Sequence, residues 1–234
     1  MKSTRLPGKN LLPILGRPML EMLVERLRRC TSLAGIVVAT TSDATDDAIE
    51  AVARRLGVAC FRGSMDDVLD RVLRAARSVD ADVIVEVTGD CPLCDPLMVD
   101  QMVATYLAKG VDYVGNFRPN SYPLGMAVQV FATEVLAEVE RLTNDPADRE
   151  HVSLYIYEHP ERFSLHNIAS GLAEKYRHYR LTVDTPEDFA LVSRVFEALH
   201  PLDPAFGLAE VLAFLDRNPA LLDLNSSVRQ KAVR

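Results

Sequence analysis

The sequence predicts an α/β protein with three layers, in which helices cover both faces of a mainly parallel central sheet. Two observations support this fold class. Strand-like apolar runs alternate with helical stripes through the first 110 residues, and parallel strands need such crossover helices. The 234-residue chain contains no repeat, low-complexity tract or linker, and its length suits one large α/β domain. We therefore expect a single domain spanning residues 1–234.

Each element of the first half follows from its local pattern: helices from apolar residues at helical spacing, and strands from continuous apolar runs. Gly57 is expected to end one helix in a left-handed conformation, and Ser64 and Asp67 form a capping-box-like start for the next. Pro96 suits the first turn of another helix. The predicted elements are helices at 20–27, 49–56, 68–76 and from 96 onward, and strands at 35–41, 58–61 and 82–90.

The second half has a looser pattern, with a Pro- and Gly-bearing segment at 117–125 between two strands. A proline in first position, followed by two acids, predicts a helix start at residue 186. The predicted elements are strands at 111–115, 127–132, 163–168 and 178–183, helices at 133–142, 149–159 and 186–199, and two short helices at the end of the chain.

The composition excludes several classes of function. The net charge is −7 and no Lys/Arg-rich run occurs, which argues against nucleic-acid binding, although a few local cations can still hold a small anion. No apolar run approaches the roughly 18–20 residues that span a bilayer. The N-terminus also lacks the apolar stretch of a secretory signal. We expect a cytoplasmic protein with no membrane or nucleic-acid partner.

The four cysteines are Cys30, Cys60, Cys91 and Cys94. Cys91 and Cys94 have the C-x-x-C spacing of a redox motif. They lie, however, in a Gly-Asp-Cys-Pro loop after a predicted strand, and no second pair completes a zinc site. We interpret all four as reduced thiols.

Two aspartates lie at predicted strand ends, where parallel α/β sheets bind their ligands. Ligands of parallel α/β sheets bind at the carboxyl ends of the strands, and Asp90 and Asp184 each end a predicted strand. Two such carboxylates suit Mg²⁺, which takes one or two carboxylates together with phosphate oxygens. The alternative is a structural role, with Asp90 in a turn and Asp184 or Thr185 capping the following helix.

Several cations are further candidates. Arg5 and Lys9, in a loop with a glycine, suit phosphate binding, and the alternative is a disordered basic terminus. Arg62 and Arg71 flank a predicted helix N-terminus, where anions bind, or are surface charges. His151 is either a titrating group or a packing residue.

Six stretches occur in order: STRLPGKNLLPILGRPML, VATTS, FRGSMDDVLDRV, VEVTGDCPLCDP, REHV and LTVDTPEDF. Together they resemble the spore-coat polysaccharide biosynthesis protein F group of the cytidylyltransferase family. That group is similar to the enzymes that activate 3-deoxy-manno-octulosonate and N-acylneuraminate with CTP. The resemblance covers essentially the whole chain.

The resemblance implies a Rossmann-like nucleotide-diphospho-sugar transferase fold and a homodimer. It implies that a sugar, by preference an acidic 2-keto sugar for a surface polysaccharide, attacks the α-phosphorus of CTP and releases pyrophosphate. Asp90 and Asp184 would hold Mg²⁺, and Arg5 and Lys9 would act with them in catalysis. The implied nucleotide-binding residues are Ser3, Thr4, Arg5, Lys9, Thr40, Ser42, Arg62 and Arg71, and the implied sugar-binding residues are Tyr122, Gly125, Gln129, Arg149 and His151.

The sequence departs from the family pattern at three places. Cys94 stands where the group usually has an aliphatic residue, which supports its interpretation as a reduced thiol. Family members have an apolar strand ending in Gln-Ala-Arg-Met-Gly before the Ser-Thr-Arg stretch, so we expect that the true start lies upstream. The family segment Gly-Leu-Asp-Val-Glu-Val-Phe is GMAVQVF here, with Ala127 and Gln129 in place of both acids. The alternatives are therefore a nucleotidyltransferase or glycosyltransferase with another nucleotide or acceptor, or a non-catalytic nucleotide-binding homologue.

Overall fold

Residues 4–231 are described by a computed structural model, in which strands and helices alternate along the chain. Ser3 lies outside the described residues. The strands are β1 (Pro13–Ile14), β2 (Arg17–Pro18), β3 (Val37–Thr41), β4 (Ala59–Gly63), β5 (Val83–Glu86), β6 (Tyr113–Gly115), β7 (Gln129–Ala132) and β8 (Leu165–Asn167). The helices are α1 (Met19–Leu27), α2 (Asp47–Leu56), α3 (Val68–Arg77), α4 (Pro96–Lys109), α5 (Thr133–Leu142), α6 (Pro146–Glu150), α7 (Leu154–Glu158), α8 (Pro186–Leu199) and α9 (Leu208–Arg217). Short 3-10 helices occupy Lys9–Leu11, Ala44–Asp46, Glu174–His178 and Pro219–Asn225.

The strands form two main sheets and a small β1–β2 hairpin. Strand β3 pairs with β4 in parallel. The second sheet has the order β5-β7-β6-β8, in which β7 is antiparallel to both neighbours and β6 is parallel to β8. Strands β5, β6 and β8 therefore run in one direction, and β7 runs in the other. The predicted α/β class is confirmed, but the expected central sheet is divided in two and includes a reversed strand.

A cavity of about 1240 Å³ separates the two sheets. Its walls are β3 on one side and β5 on the other, with apolar side chains of α1 and α3 also lining it. Among the described residues, β3 pairs only with β4 and β5 only with β7. Both strands thus present a backbone edge to the cavity. The described residues do not test whether a further strand precedes the opening loop, and that expectation stays a prediction.

Helices cover the larger sheet on both faces. Successive residues of a strand point to opposite faces, and β7 shows the consequence. Val130 packs in a core with α1, α4, α8 and α9, whereas Phe131 packs in a second core with α3, α5 and α7. This arrangement gives the helix–sheet–helix layers that the sequence predicts. Within residues 4–231, no helix has both the length and the apolar character needed to cross a membrane.

Local signals located most of the elements. The helices predicted at 133–142 and 186–199 coincide with α5 and α8 at both ends. Gly57 ends α2 in a left-handed conformation, with φ of 66°. Pro96 lies in the first turn of α4, after Asp95, whose side chain caps the helix by accepting a hydrogen bond from the Leu97 amide. Each of these predictions is confirmed.

Two predicted elements are wrong. The helix predicted at 149–159 is instead the pair α6 and α7, because the chain between them adopts a left-handed conformation at Val152, with φ of 49°. That side chain is buried in the second core, so tertiary packing sets the break. The strand predicted at 178–183 is reduced to an isolated bridge between Leu124 and Arg180.

Candidate active site

Backbone contacts between two distant segments place Asp90 beside Asp184. Asp90 lies in the loop after β5, and Asp184 lies just before α8. The carbonyl oxygen of Asp90 accepts hydrogen bonds from the Val183 amide at 2.8 Å and from the Thr182 hydroxyl at 3.1 Å. These bonds join the two segments, so both predicted carboxylates lie at the same site.

The ammonium group of Lys9 lies between the two carboxylates. Its Nζ is 2.8 Å from Asp90 Oδ2, 3.0 Å from Asp184 Oδ1 and 2.8 Å from the carbonyl oxygen of Val183. An ammonium group carries three N–H donors, and here each donor has an acceptor. The opening loop is therefore bound to the segments that carry both aspartates.

Two arginines extend this arrangement. Arg5 contacts Asp184 Oδ2 at 3.0 Å, and Arg180 contacts the same oxygen at 2.8 Å. Arg180 also donates two hydrogen bonds to Asp188, from Nε to Oδ1 at 2.8 Å and from Nη2 to Oδ2 at 3.0 Å. The resulting charged cluster consists of Arg5, Lys9, Asp90, Arg180, Asp184 and Asp188.

Arg180 and Asp188 are members of the cluster that the sequence analysis missed. Asp188 is fully buried, and its carboxylate also accepts hydrogen bonds from the Asp184 amide and the Asn225 side chain. Asp188 completes the capping box of α8 with Thr185. The capping pattern was visible in the sequence, but it does not indicate a buried arginine partner.

The charged cluster favours the ionised forms of its members. Burial acts to raise the pKa of Asp184, but the hydrogen bond and charge of Lys9, with the charges of Arg5 and Arg180, hold that pKa below its ordinary value. Burial acts to lower the pKa of Lys9, yet the contacts with Asp90 and Asp184 raise it above its ordinary value. Opposite charges at hydrogen-bonding distance have this effect. Lys9 is therefore a cation, and Asp184 an anion, at neutral pH.

Two glycines allow the opening loop to approach the strand ends. Gly8 has φ of 70° and begins the 3-10 helix Lys9–Leu11 in a left-handed conformation. Gly89 faces the side chain of Asn10, and a Cβ atom at Gly89 would lie 3.4 Å from Asn10 Nδ2. The loop thus packs on the residue that precedes Asp90, which fixes the position of Lys9.

The hydroxyl groups predicted to bind nucleotide have different surroundings. Thr4 and Ser42 are exposed. Thr40 is buried at the end of β3, and its hydroxyl donates to Asp46 Oδ2 at 2.7 Å. The structure therefore gives Thr40 a contact within the protein that holds the turn after β3.

Arg62 lies at the ends of β3 and β4 and is fully engaged there. Its guanidinium contacts Asp47 at 2.6 Å and Glu50 at 2.9 Å. It also donates to the carbonyl oxygens of Thr41 at 3.0 Å and Asp43 at 2.7 Å. A nucleotide at this position would have to compete with these four contacts.

Arg149 and Arg71 lie near the start of α3. Arg149 donates to Asp67 Oδ2 at 2.9 Å from Nε and 2.5 Å from Nη2, which joins α6 to α3. Asp67 is also the N-cap of α3, while the Ser64 hydroxyl accepts from the Asp67 amide. The Ser64 hydroxyl thus makes the contact with residue 67 expected of a capping-box-like start, and α3 begins at Val68 as predicted, with Asp67 as its N-cap. Arg71 lines the cavity between the sheets and donates to the carbonyl oxygen of Ser64.

Tyr122 and Gly125 belong to a turn that packs against the segment before Asp184 through Leu124 and Gly125. Tyr122 is buried in the larger core. Gly125 has φ of 102°, and a Cβ atom there would lie 2.5 Å from the Thr182 nitrogen and 2.6 Å from the Leu181 carbonyl carbon. Only glycine fits so close to this backbone. The turn therefore supports the position of Asp184 through the backbone.

Gln129 belongs to a polar cluster where β5 and β7 pair. Its Oε1 accepts from the Tyr113 hydroxyl at 2.8 Å and from the Ser153 hydroxyl, and its Nε2 donates to Glu86 at 3.3 Å. Glu86 is the last residue of β5, and burial raises its pKa to about 8. His151 directly follows α6 and is half-buried.

The donor set of the charged cluster fits a hard divalent cation. Asp90 and Asp184 supply two carboxylates, and Mg²⁺ in proteins is bound by one or two carboxylates together with phosphate oxygens of the substrate. Within residues 4–231, no group of three or more His, Cys, Asp and Glu side chains is arranged to hold a metal ion. A metal at these carboxylates would thus need further oxygen ligands from substrate or water.

All four cysteines are free, as predicted. Cys91 and Cys94 are buried, and burial raises the pKa of Cys94 to about 12 and that of Cys91 well above its ordinary value. Because the thiolate is the reactive form, a raised pKa favours the unreactive thiol at both positions and supports the interpretation of these cysteines as reduced thiols.

Comparison with known proteins identifies the family of the chain. The family model described as cytidylyltransferase matches residues 1–215. The chain is 34% identical to the spore coat polysaccharide biosynthesis protein SpsF of Bacillus subtilis, over 94% of this chain and 92% of that protein. It is also 34% identical to the 3-deoxy-manno-octulosonate cytidylyltransferase of Geobacter metallireducens, over 50% of this chain and 45% of that enzyme.

A solved structure extends the comparison to the fold. A cytidylyltransferase from Leptospira borgpetersenii superposes with a TM-score of 0.91 at 31% identity, over 98% of this chain and 95% of that one. The sequence match and the fold agree. The chain therefore belongs to the cytidylyltransferase family of nucleotidyltransferase enzymes.

Proposed function

We propose that the chain is an Mg²⁺-dependent cytidylyltransferase that transfers CMP from CTP to a sugar and releases pyrophosphate. The observation that carries the proposal is the position of Lys9 Nζ, which lies within 3.0 Å of both Asp90 and Asp184. A cation and two carboxylates held close together are the groups that a metal-bound triphosphate requires. Family membership supports cytidylyl transfer as the reaction.

The transfer is a single displacement at phosphorus. The anomeric hydroxyl oxygen of the sugar forms a bond to the α-phosphorus of CTP. The bond from that phosphorus to the oxygen bridging the β-phosphate breaks, so pyrophosphate leaves with the bridging oxygen. The hydroxyl proton passes to solvent. Such chemistry depends on positioning and charge neutralisation more than on covalent participation of side chains.

Asp90 and Asp184 are the residues that would hold the metal ion. When bound, Mg²⁺ supplies neutralisation of phosphate charge and makes the sugar hydroxyl more acidic. The contribution of the chain is to keep Asp184 ionised and oriented, through its contacts with Arg5 and Arg180. Asp90 is oriented by the backbone bonds that its carbonyl oxygen accepts.

The opening loop would bind the phosphates. Arg5 and Lys9 supply positive charge, and Ser3 and Thr4 supply hydroxyl donors for phosphate oxygens. In the proposal, Lys9 exchanges its carboxylate contacts for phosphate contacts when the nucleotide binds. The residues that would place the rest of the nucleotide are Thr40, Ser42, Arg62 and Arg71.

The acceptor in the proposal is an acidic 2-keto sugar for a surface polysaccharide. The names of the relatives, which include a spore coat polysaccharide protein and a 3-deoxy-manno-octulosonate enzyme, support this class. Gln129 and His151 would contact the sugar from the β7 and α6 side. Tyr122, Gly125 and Arg149 would shape the site through the packing contacts described above.

A pyrophosphate-release assay tests the reaction. With Mg²⁺, CTP and 3-deoxy-manno-octulosonate as the probe sugar, we expect release that requires all three components. A thermal-shift series with CTP, UTP, GTP and ATP tests the nucleotide, and we expect the largest shift with CTP. A shift with another nucleotide and none with CTP would overturn the cytidylyl assignment. Binding of CTP without release of pyrophosphate from CTP in the presence of any acidic 2-keto sugar would favour the non-catalytic alternative.

A further inference from the structure

The charged cluster has no net formal charge before any ligand binds. Its carboxylates, Asp90, Asp184 and Asp188, are matched in number by its cations, Arg5, Lys9 and Arg180. A divalent cation added to this cluster alone would leave two uncompensated positive charges in a partly buried site. Such an excess is unfavourable where the effective dielectric constant is low.

Lys9 also occupies the carboxylate oxygens that a metal would use. Its side chain is 15% exposed, and that of Asp184 is 12% exposed, so few water molecules can replace the contact. Nζ donates to one oxygen of Asp90 and one of Asp184, while the second oxygen of Asp184 accepts from Arg5 and Arg180. In the free protein, therefore, both oxygens of Asp184 are already engaged by cations.

We infer that Lys9 acts as an internal counter-ion that excludes the divalent cation from Asp90 and Asp184 until a nucleotide binds. A triphosphate brings several negative charges and gives the ammonium group new acceptors. Lys9 then leaves the carboxylates, which become free for the metal. The nucleotide and the metal thus bind with positive coupling, because the first ligand removes the competitor of the second. The inference rests on the proposed metal role of Asp90 and Asp184.

Metal binding without nucleotide tests this inference directly. The probe is Mn²⁺, measured as free ion by electron paramagnetic resonance in titrations of the wild-type protein and of Lys9→Met. We expect Lys9→Met to bind Mn²⁺ without nucleotide at least about tenfold more tightly than the wild type, within the usual range of coupling between two ligands. Adding Asp90→Asn to Lys9→Met is expected to remove the gain.

The matched control is Lys175→Met. Lys175 also forms an ion pair with an aspartate, at 2.7 Å from Asp216, but on the surface. Its replacement removes the same charge and the cationic partner of a carboxylate, and it is expected to leave Mn²⁺ affinity at the wild-type value. Lys9→Gln provides a second variant in case Lys9→Met folds poorly. For either Lys9 variant, Mn²⁺ is expected to raise the melting temperature, with no such rise in the wild type.

The outcomes separate this inference from the proposed function. Equal Mn²⁺ affinity in the wild type and both Lys9 variants, without nucleotide, overturns the inference. If Asp90→Asn still weakens binding of Mn²⁺ in the presence of CTP, the proposed metal role survives that result. If Asp90→Asn has no effect on Mn²⁺ binding with or without CTP, the metal role and the inference both fail.

Discussion

The position of Asp90 is set by its backbone, because its carbonyl oxygen accepts hydrogen bonds from the Thr182 hydroxyl and the Val183 amide. Asp90→Asn therefore changes the charge of the side chain without disturbing those bonds. We expect pyrophosphate release to fall at least about 100-fold, as when a transition-state contact is lost, with a melting temperature close to that of the wild type. Asp184→Asn should lose activity similarly. The exposed Asp223→Asn is the control, and full activity in both site variants would contradict the assignment.

Arg180 contributes to stability as well as to the orientation of Asp184. Its removal leaves the fully buried Asp188 without its cationic partner. We expect Arg180→Met to lower the free energy of unfolding by about 3–5 kcal/mol, the usual cost of breaking a buried pair. Arg194→Met, which breaks the exposed pair with Glu197, is expected to cost less than about 1 kcal/mol. If urea unfolding gives the same loss of free energy for Arg180→Met and Arg194→Met, the buried pair contributes no more to stability than the exposed pair.

Glu86 makes stability depend on pH in the opposite sense to Asp184. Burial raises the pKa of Glu86 from its ordinary 4.5 to about 8 in the folded protein. Between these pH values the folded form binds more protons than the unfolded form, so the free energy of unfolding falls as pH rises. Glu86→Gln removes this dependence. We expect the variant to gain stability over the wild type progressively from about pH 5 to pH 8, measured by urea unfolding.

The exposed Glu134→Gln serves as the control for that series. Its stability should follow the wild-type curve across the whole range of pH. Parallel curves for Glu86→Gln and the wild type would show that Glu86 is not protonated in the folded protein.

The lowered pKa of Asp184 makes the stability of the fold depend on pH in the acidic range. Its contribution to stability is present above the unfolded pKa of about 3.9 and is lost as pH falls through the folded value.

At the level of single residues, the sequence located the carboxylates and missed their partners. Asp90 was predictable because a strand followed by a polar loop is a local signal. Asp184 was predictable because it adjoins the capping residues that begin α8, although the strand predicted before it is absent. Arg180 and Asp188 were not, since their pairing depends on a backbone turn and on Asn225. The contact between Arg149 and Asp67 was not predictable from local patterns either, because the two residues are 82 positions apart in the sequence.

At the level of elements, the turn at 122–125 is a sensitive point. Gly125→Ala would place a Cβ atom against Leu181 and Thr182 at a φ of 102°. We expect a loss of about 1–3 kcal/mol or more in the free energy of unfolding, from backbone strain and displacement of the segment before Asp184. Gly35→Ala, where no atom lies within 4 Å of the added Cβ, is the matched control. A neutral Gly125→Ala would show that the turn can relax.

Clear capping residues in the sequence allowed the start of α8 to be predicted correctly. Helix α8 begins with Thr185, Pro186 and Asp188, which fix its first turn. The break between α6 and α7 lacks such a signal, because a buried valine adopts the left-handed conformation there. The segment at 178–183 has a strand-like composition. Within the described residues, however, its pairing is limited to one isolated β-bridge, between Arg180 and Leu124.

At the level of the whole molecule, alternation of strands and helices was enough to predict the α/β class. It was not enough to predict the order β5-β7-β6-β8, since pairing of β7 between β5 and β6 is a long-range choice. No local pattern in the sequence indicated that the strands would form two separate sheets. That the chain is one domain and forms a homodimer stays a prediction.

The cavity between β3 and β5 has a consequence for amide hydrogen exchange. In β7 the backbone is paired on both sides, whereas β3 is paired only with β4 within the described residues. Amides of a strand point alternately to its two sides, so every second amide of Val37–Thr41 points away from β4; among these, the Thr41 amide donates to Asp46 Oδ2. We expect deuterium uptake in β3 to alternate between slow and fast residues, and uptake in Gln129–Ala132 to be uniformly slow, when followed by nuclear magnetic resonance. Uniform protection along β3 would mean that its second edge is covered in solution.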